Sequence, residues 1–221
     1  MRKILILLPL IALTMGFTLF NRQAKEEKFW NWVIKNKSKL EEFINSNQED
    51  YTIYNQLTKE IKKYNSLLFP EMTLTENNEV VLIITPDGMP DGVLPTQKLF
   101  DSRPEMDNWV IKKFRQPTDE IGLNFDGIEY PSSDIEIIPE IDNKRNKINI
   151  RVFIRNMNLS EKKYQSLAWL YLDHILGEYN TITKVGYIDF YHLEKDEKVK
   201  GGITILDLRK LIEKELYKVE N

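Results

Sequence analysis

The feature that most constrains this chain is an uncharged apolar segment close to its first residue. The segment begins at Ile4, ends at Phe20 and contains 17 residues. A helix of that length spans about 26 Å, which is just short of the roughly 30 Å hydrocarbon core of a bilayer. Arg2 and Lys3 precede it, as in a signal peptide or a membrane anchor. We therefore expect residues 1–24 to carry the following domain to a membrane or across one.

Two outcomes for this segment stay open. The stretch before Ala24 is a poor cleavage site because Arg22 stands where a signal peptidase requires a small residue. An uncleaved single-pass anchor in a bacterial inner membrane, with the domain outside the cytoplasm, is therefore the first interpretation. A cleaved signal that leaves a periplasmic or secreted protein is the alternative. A buried core helix is the third, and it is weakened by the lack of a polar face.

Charge and composition exclude several classes of function. The chain holds 31 basic and 34 acidic residues, and its N-terminal segment carries only basic ones, so the remaining domain is acidic. An acidic domain lacks the clustered Lys and Arg that bind nucleic acid. The sequence has no cysteine, which removes disulfides, thiolate metal sites and thiol nucleophiles. Phosphate-loop, dinucleotide, EF-hand and serine-hydrolase motifs are absent from it, so no metal and no cofactor is predicted.

Residues 25–221 read as one α+β domain. Apolar residues at helical spacing predict an αα-hairpin from helices over 25–45 and 50–68. The ranges 72–75, 79–85 and 109–115 are typical of strands, with a short helix over 95–101, and 117–133 is irregular. A hairpin of strands 135–141 and 147–155 follows. We then expect a helix from Ser160 to a stop at Gly177, a strand over 184–193, and a last helix capped by Thr204 and Asp207. Such an order predicts a mainly antiparallel sheet with helices packed on it.

Two histidines and three carboxylates form the best catalytic or metal-binding candidate. His174 and Asp173 fall on the predicted helix, Glu178 follows its end, and Asp189 and His192 fall on the next strand. Strand alternation sends Asp189 and His192 to opposite faces of a sheet, which weakens the group. The alternative is that each histidine has only a structural role and a local hydrogen-bond partner.

Aromatic residues suggest two further sites. Tyr187, Asp189 and Tyr191 alternate along one strand, where aromatic rings beside a carboxylate suit a cationic or sugar-like ligand. Packing beneath a helix is the favoured alternative. Trp30 and Trp32 follow the apolar segment and are candidates for the membrane interface. The favoured alternative there is a helix that docks on the sheet.

Two patches carry a resemblance to a known family. The first is F-W-x-W at positions 29–32, and the second is G-E-Y-N-x-x-T-K-V-G-x-I-D-F at positions 177–190. Together they resemble an uncharacterised family of bacterial α+β domains over residues 29–193. The family carries no assigned activity, so the resemblance implies a fold and no catalytic residues. It does rank Gly177, Glu178, Tyr179 and Asp189 as positions to test.

These observations favour a non-catalytic binding or interaction module that is anchored in, or exported across, a bacterial inner membrane. Its expected partners are the membrane, through residues 4–20, and a protein. One alternative is a carboxylate- or metal-dependent hydrolase that uses Glu178, Asp189 and His192. Another is an immunity-like inhibitor that binds a basic partner through its acidic surface.

Overall fold

The computed structural model describes residues 24–46, 50–119, 123–125, 128–130, 132–155 and 162–217. The predicted membrane segment and the predicted helix start at Ser160 lie outside these residues. Among the residues described, no helix is both long and apolar enough to cross a membrane.

The chain opens with three helices that cover the first sheet. They are α1 (Lys25–Lys35), α2 (Lys37–Asn45) and α3 (Thr52–Tyr64). The helix predicted over 25–45 is interrupted at Asn36, whose side-chain amide donates to the carbonyl of Trp32 at 2.8 Å. Asparagine competes in this way with the regular backbone pattern, which explains the break. The helix predicted over 50–68 is α3, which is shorter than predicted because it ends at Tyr64.

The first sheet has three strands in the order β1-β2-β3. They are β1 (Phe69–Leu74), β2 (Val80–Thr85) and β3 (Trp109–Lys113). β1 pairs antiparallel to β2, and β2 pairs parallel to β3 through a crossover that contains α4 (Val93–Asp101). The prediction that β2 is the most buried strand agrees with its position at the centre of this sheet. We call the part from α1 to Pro117, just beyond the end of β3, the N-terminal unit.

The second sheet repeats this topology. A two-stranded ribbon of β4 (Leu123–Phe125) and β5 (Ile128–Tyr130) separates the two sheets. The predicted hairpin is confirmed as β6 (Ile135–Asp142) and β7 (Lys147–Arg155), with β8 (Val185–Leu193) parallel to β7. The crossover contains α5 (Lys162–Leu176) and α6 (Glu178–Lys184). We call the part from β6 to the end the C-terminal unit.

The last helix, α7 (Ile205–Leu216), begins as predicted. The hydroxyl of Thr204 accepts a hydrogen bond from the backbone N–H of Asp207 at 3.1 Å and donates to the carboxylate of the same residue at 2.9 Å. The first of these bonds satisfies one N-terminal N–H that a helix otherwise leaves unpaired, and the second holds the two side chains together. The helix then packs on α5 and β6.

The α+β fold class is confirmed, and the strands lie in two small mixed sheets. Three of the five strand pairs are antiparallel, while each three-stranded sheet also contains one parallel pair. The parallel pairs arise because a helix connects the second and third strand of each unit. Each unit has its own apolar core. The first is built around Leu57, Ile61 and Leu82, and the second around Ile150, Tyr171 and Leu208.

Candidate functional site at the junction of the two units

Glu178 is the first residue of α6 and its side chain is fully buried, with 0% of its surface exposed. Gly177 directs the chain into this position with a φ of +77°, which only glycine adopts at low cost. A Cβ at Gly177 would also lie 2.9 Å from the Cδ atom of Pro117, closer than real side chains approach. The predicted helix stop is therefore confirmed, and it also places Glu178 against the N-terminal unit.

Three donors from the N-terminal unit bind the carboxylate of Glu178. The hydroxyl of Thr85 and the N–H of Gly88 donate to Oε1 at 2.6 Å and 3.0 Å, and the N–H of Arg115 donates to Oε2 at 3.1 Å. The N–H of Glu178 donates in return to the carbonyl of Arg115 at 3.0 Å. A buried carboxylate is tolerated only with such partners. This side chain therefore connects the ends of β2 and β3 to the C-terminal unit.

The guanidinium of Arg115 gathers four carboxyl groups, and we call this set the Arg115 cluster. Nε and Nη2 donate to Glu71 at 2.8 Å and 2.6 Å, and Nη2 also donates to Asp87 at 2.8 Å. Nη1 donates to Asp173 at 3.1 Å and lies 3.9 Å from Oε1 of Glu178. All three nitrogens of the guanidinium are thus engaged. Four of its five N–H donors are in these hydrogen bonds, so Arg115 has little left with which to bind an anion.

Charge in the cluster shifts two pKa values. Burial alone would lower the pKa of Arg115, but its hydrogen bonds to Glu71 and Asp87 and the charge of Glu178 raise it overall. Burial and the neighbouring charge of Glu178 raise the pKa of Asp173 from 3.8 to about 6, against the opposing effect of Arg115. The pKa of Asp173 is consequently closer to neutral pH than that of an ordinary aspartate.

A cleft of ≈ 670 Å³ opens beside the cluster, between the two units. Asp87, Asp173 and Arg115 line it together with Trp169, whose side chain on α5 is 46% exposed. Trp169 and Asp173 are four residues apart and so lie on the same face of the helix. Lys147 also lines the cleft. The volume is within the range of small-ligand pockets.

The predicted row of Tyr187, Asp189 and Tyr191 lies elsewhere, on the outward face of the second sheet. All three side chains are exposed, so the favoured alternative of packing beneath a helix is wrong. The physical reason is that α5 and α7 pack on the opposite, inward face of this sheet, where they form the second core. Glu178 is buried in the junction and has no contact with this row.

The two histidines are not brought together. His192 is exposed, with Nε2 3.2 Å from a carboxylate oxygen of Glu194. His174 is half-buried on α5, and its carbonyl accepts from the N–H of Thr118 at 2.7 Å. The structure therefore does not assemble Glu178, Asp189 and His192 into one site. Within the described residues, no group of three potential ligands could hold a metal ion.

The tryptophans proposed for the membrane interface belong to the first core instead. Trp30 is only 3% exposed, and its indole N–H donates to the carbonyl of Leu99 at 3.0 Å. Trp32 is half-buried against the same core. Docking of α1 through Phe29, Trp30 and Val33 explains these positions, because all three are buried in the core that α1 shares with α3, α4 and the first sheet. Trp30 is not available to a lipid interface in this structure.

Sequence reasoning singled out Glu178 and Asp173 but missed their partners. A signal for two of the partners was present, since Asp87 follows β2 and Arg115 follows β3. The carboxyl ends of neighbouring parallel strands meet at one sheet edge, where ligands commonly bind. The expectation of mainly antiparallel pairing concealed this neighbourhood.

Comparison with known proteins adds no candidate. No protein-family model matches the chain, and no curated protein and no solved structure shows significant similarity to it. The resemblance carried by the two sequence patches stays a prediction, and function has to be argued from the site itself.

Proposed function

We propose that the protein is a membrane-anchored or exported bacterial binding module whose junction cleft binds a cationic group of a protein partner. The observation that carries this proposal is the cleft of ≈ 670 Å³ in which exposed Trp169 stands beside the carboxyl-rich Arg115 cluster. The uncharged segment from Ile4 to Phe20 supports the location. The experiment below tests the binding part of the proposal.

The sign of the charge selects the ligand. Four carboxyl groups, those of Glu71, Asp87, Asp173 and Glu178, stand against the guanidinium of Arg115 and, at the cleft wall, the ammonium of Lys147. Counted together, the four carboxylates exceed the two cations by two charges; Asp87 and Asp173 line the cleft itself, while Glu71 and the buried Glu178 lie behind its wall. Every nitrogen of the guanidinium already donates within the cluster, so an anionic ligand would find little to bind. A guanidinium or ammonium group gains from the surplus carboxylates.

The wall of α5 provides the second part of the recognition. An aromatic ring within about 6 Å of a cation contributes roughly 0.5–2 kcal/mol, and more as the pair is desolvated. Trp169 offers such a ring next to Asp173, while Leu170 and Ile182 add apolar surface for an aliphatic stem. A lysine or arginine side chain combines these features, since its stem is apolar and its end is charged.

The geometry favours binding over hydrolysis by the residues first considered. A hydrolase built on Glu178, Asp189 and His192 would need them around one substrate, whereas Glu178 is buried and the other two are exposed on other surfaces. An immunity-like inhibitor uses the same charge complementarity as our proposal. It would be distinguished by loss of the partner's activity when the cleft is occupied.

Calorimetric titration of the full-length protein in a non-ionic detergent tests the proposal. The probe is a short blocked peptide that contains one lysine and one arginine, and its counterpart carries glutamine at both places. We expect saturable binding of the cationic peptide only, weaker at high salt. Trp169→Ala and Asp87→Asn should each weaken it by about 5- to 30-fold, the equivalent of roughly 1–2 kcal/mol.

Asp119→Asn is the matched control for Asp87→Asn. Asp119 is likewise an exposed carboxylate bound to an arginine, at 2.6 Å from Nη2 of Arg209, but it does not line the cleft. Its replacement should leave the affinity unchanged. Equal affinity for both peptides, or equal effects of the two aspartate variants, would contradict a cation site in the cleft.

A further inference from the structure

The outward face of the second sheet forms a surface separate from the cleft. Tyr187 is 69% exposed and Tyr191 is 40% exposed, and Asp189 stands between them on β8. Phe153 of β7 stacks on Tyr191 with ring centroids 4.9 Å apart. Within the described chain, the helices that cover this sheet pack on its other side. An exposed aromatic surface of this kind is typical of protein interfaces.

Two opposite charges without partners stand at the centre of this face. Arg151 and Asp189 are register neighbours on β7 and β8, and both side chains are exposed. Neither side chain has an ion pair or a hydrogen bond with any described residue. Arg145 and Arg155 nearby are, in contrast, bound to Asp142 and Glu136.

We infer that a second copy of this chain docks on this face through a two-fold axis. In such an interface the same patch of both copies is in contact. If one residue of the first copy contacts another residue of the second copy, the reverse contact is also made, so the surface must be complementary to itself. A guanidinium beside a carboxylate satisfies this condition, because Arg151 of one copy faces Asp189 of the other, and the reverse. Glu140 on the outer strand β6 is a third exposed charge of this face and lines the same groove as Arg151 and Asp189.

A shallow groove on this face adds shape complementarity to the charge complementarity of the proposed contact. It has a volume of ≈ 320 Å³ and runs beside Arg151, Asp189 and Tyr187, with Ile138 on its far side. The groove can receive an aromatic side chain of the second copy. The charged pair then lies within an apolar surround that reduces its screening by water.

The size of the face sets the strength of association. Three strands spaced at about 4.8 Å, each of eight or nine residues that rise about 3.3 Å, cover roughly 400 Å². Stable dimers bury about 800 Å² per partner, so this contact is weak and depends on concentration. Confinement of two copies to one membrane would raise their effective concentration without new contacts.

Sedimentation velocity of the full-length protein over a wide concentration range, in one non-ionic detergent, tests the inference. The wild type should show a dimer fraction that rises with concentration. Arg151→Asp and Asp189→Arg should each lower the association constant at least ten-fold, because each dimer would then contain two like-charge contacts. The double variant restores opposite charges and should return association to within about three-fold of wild type.

Glu213→Arg, on the exposed side of α7, is the control for an unspecific effect of charge, and thermal melts test whether each variant is folded. A wild type that stays monomeric at millimolar concentration overturns the inference and leaves this face to a different macromolecule. Single variants that associate like wild type, or a double variant that stays monomeric, overturn it as well. Binding of the cationic peptide in the cleft is unaffected by these variants, so the two proposals fail separately.

Discussion

Glu178→Gln is the substitution that most directly tests how the junction is held together. Glutamine has the shape of glutamate, so the change leaves packing intact and alters only charge and hydrogen bonding. Its oxygen can still accept from Thr85 and Gly88, which now bind Oε1 at 2.6 Å and 3.0 Å. Its amide nitrogen then faces the N–H of Arg115, 3.1 Å from Oε2, and two donors oppose each other.

The expected cost follows from this geometry. Loss of a hydrogen bond to a charged acceptor removes about 1.5–3 kcal/mol, and a buried N–H left unsatisfied costs about 1–3 kcal/mol. Arg115 also loses a buried counter-charge 3.9 Å away. Removal of one member of a buried ion pair typically costs about 3–5 kcal/mol in total. For a chain of this size that corresponds to a fall in Tm of roughly 6–20 °C.

Urea unfolding of full-length wild type and variant, in the same detergent, measures the change in free energy of unfolding. Glu213→Gln is the control, because that exposed carboxylate lies 3.7 Å from Arg209 and should contribute less than about 1 kcal/mol. NMR titration gives a second readout, since loss of the Glu178 charge should lower the pKa of Asp173 from about 6. A Glu178→Gln protein within about 1 kcal/mol of wild type would refute the role assigned to this carboxylate.

Three further substitutions have defined outcomes. Burial raises the pKa of Asp173 from 3.8 to about 6, so the free energy of unfolding of the wild type should fall by about 3 kcal/mol as the pH rises from 4 to 6, and stay lower above pH 6. Asp173→Asn should abolish this dependence, measured by urea unfolding at several pH values. Gly177→Ala should destabilise by more than Gly201→Ala, measured by thermal melts, since both residues have positive φ but only the first added Cβ meets Pro117 at 2.9 Å. Trp30→Phe should cost about 1–3 kcal/mol in chemical denaturation, because the smaller ring leaves a gap in the first core and the carbonyl of Leu99 in α4 loses the indole donor.

Part of the candidate site was accessible from sequence. Glu178 was singled out because it lies in the second sequence patch and in the group of carboxylates near the two histidines. That position is now explained by three donors from the other unit, which no local pattern encodes. The same holds for Arg115, whose four carboxyl partners come from four separate parts of the chain. The sequence indicates that a buried carboxylate needs hydrogen-bond donors, but it does not indicate which residues supply them.

The sequence by itself determined the local features of this protein. Alternation of apolar residues defined the β6–β7 hairpin, Thr204 with Asp207 defined the start of α7, and Gly177 defined the end of α5. Each depends on residues close together in the chain, where spacing and backbone preference decide the outcome. Only the tertiary structure decided that the strands divide into two mixed sheets, that Trp30 is buried, and that a cleft opens at the junction of the two units. Those outcomes depend on contacts between distant residues, whose free energies come from burial and pairing that appear only once both partners are in place.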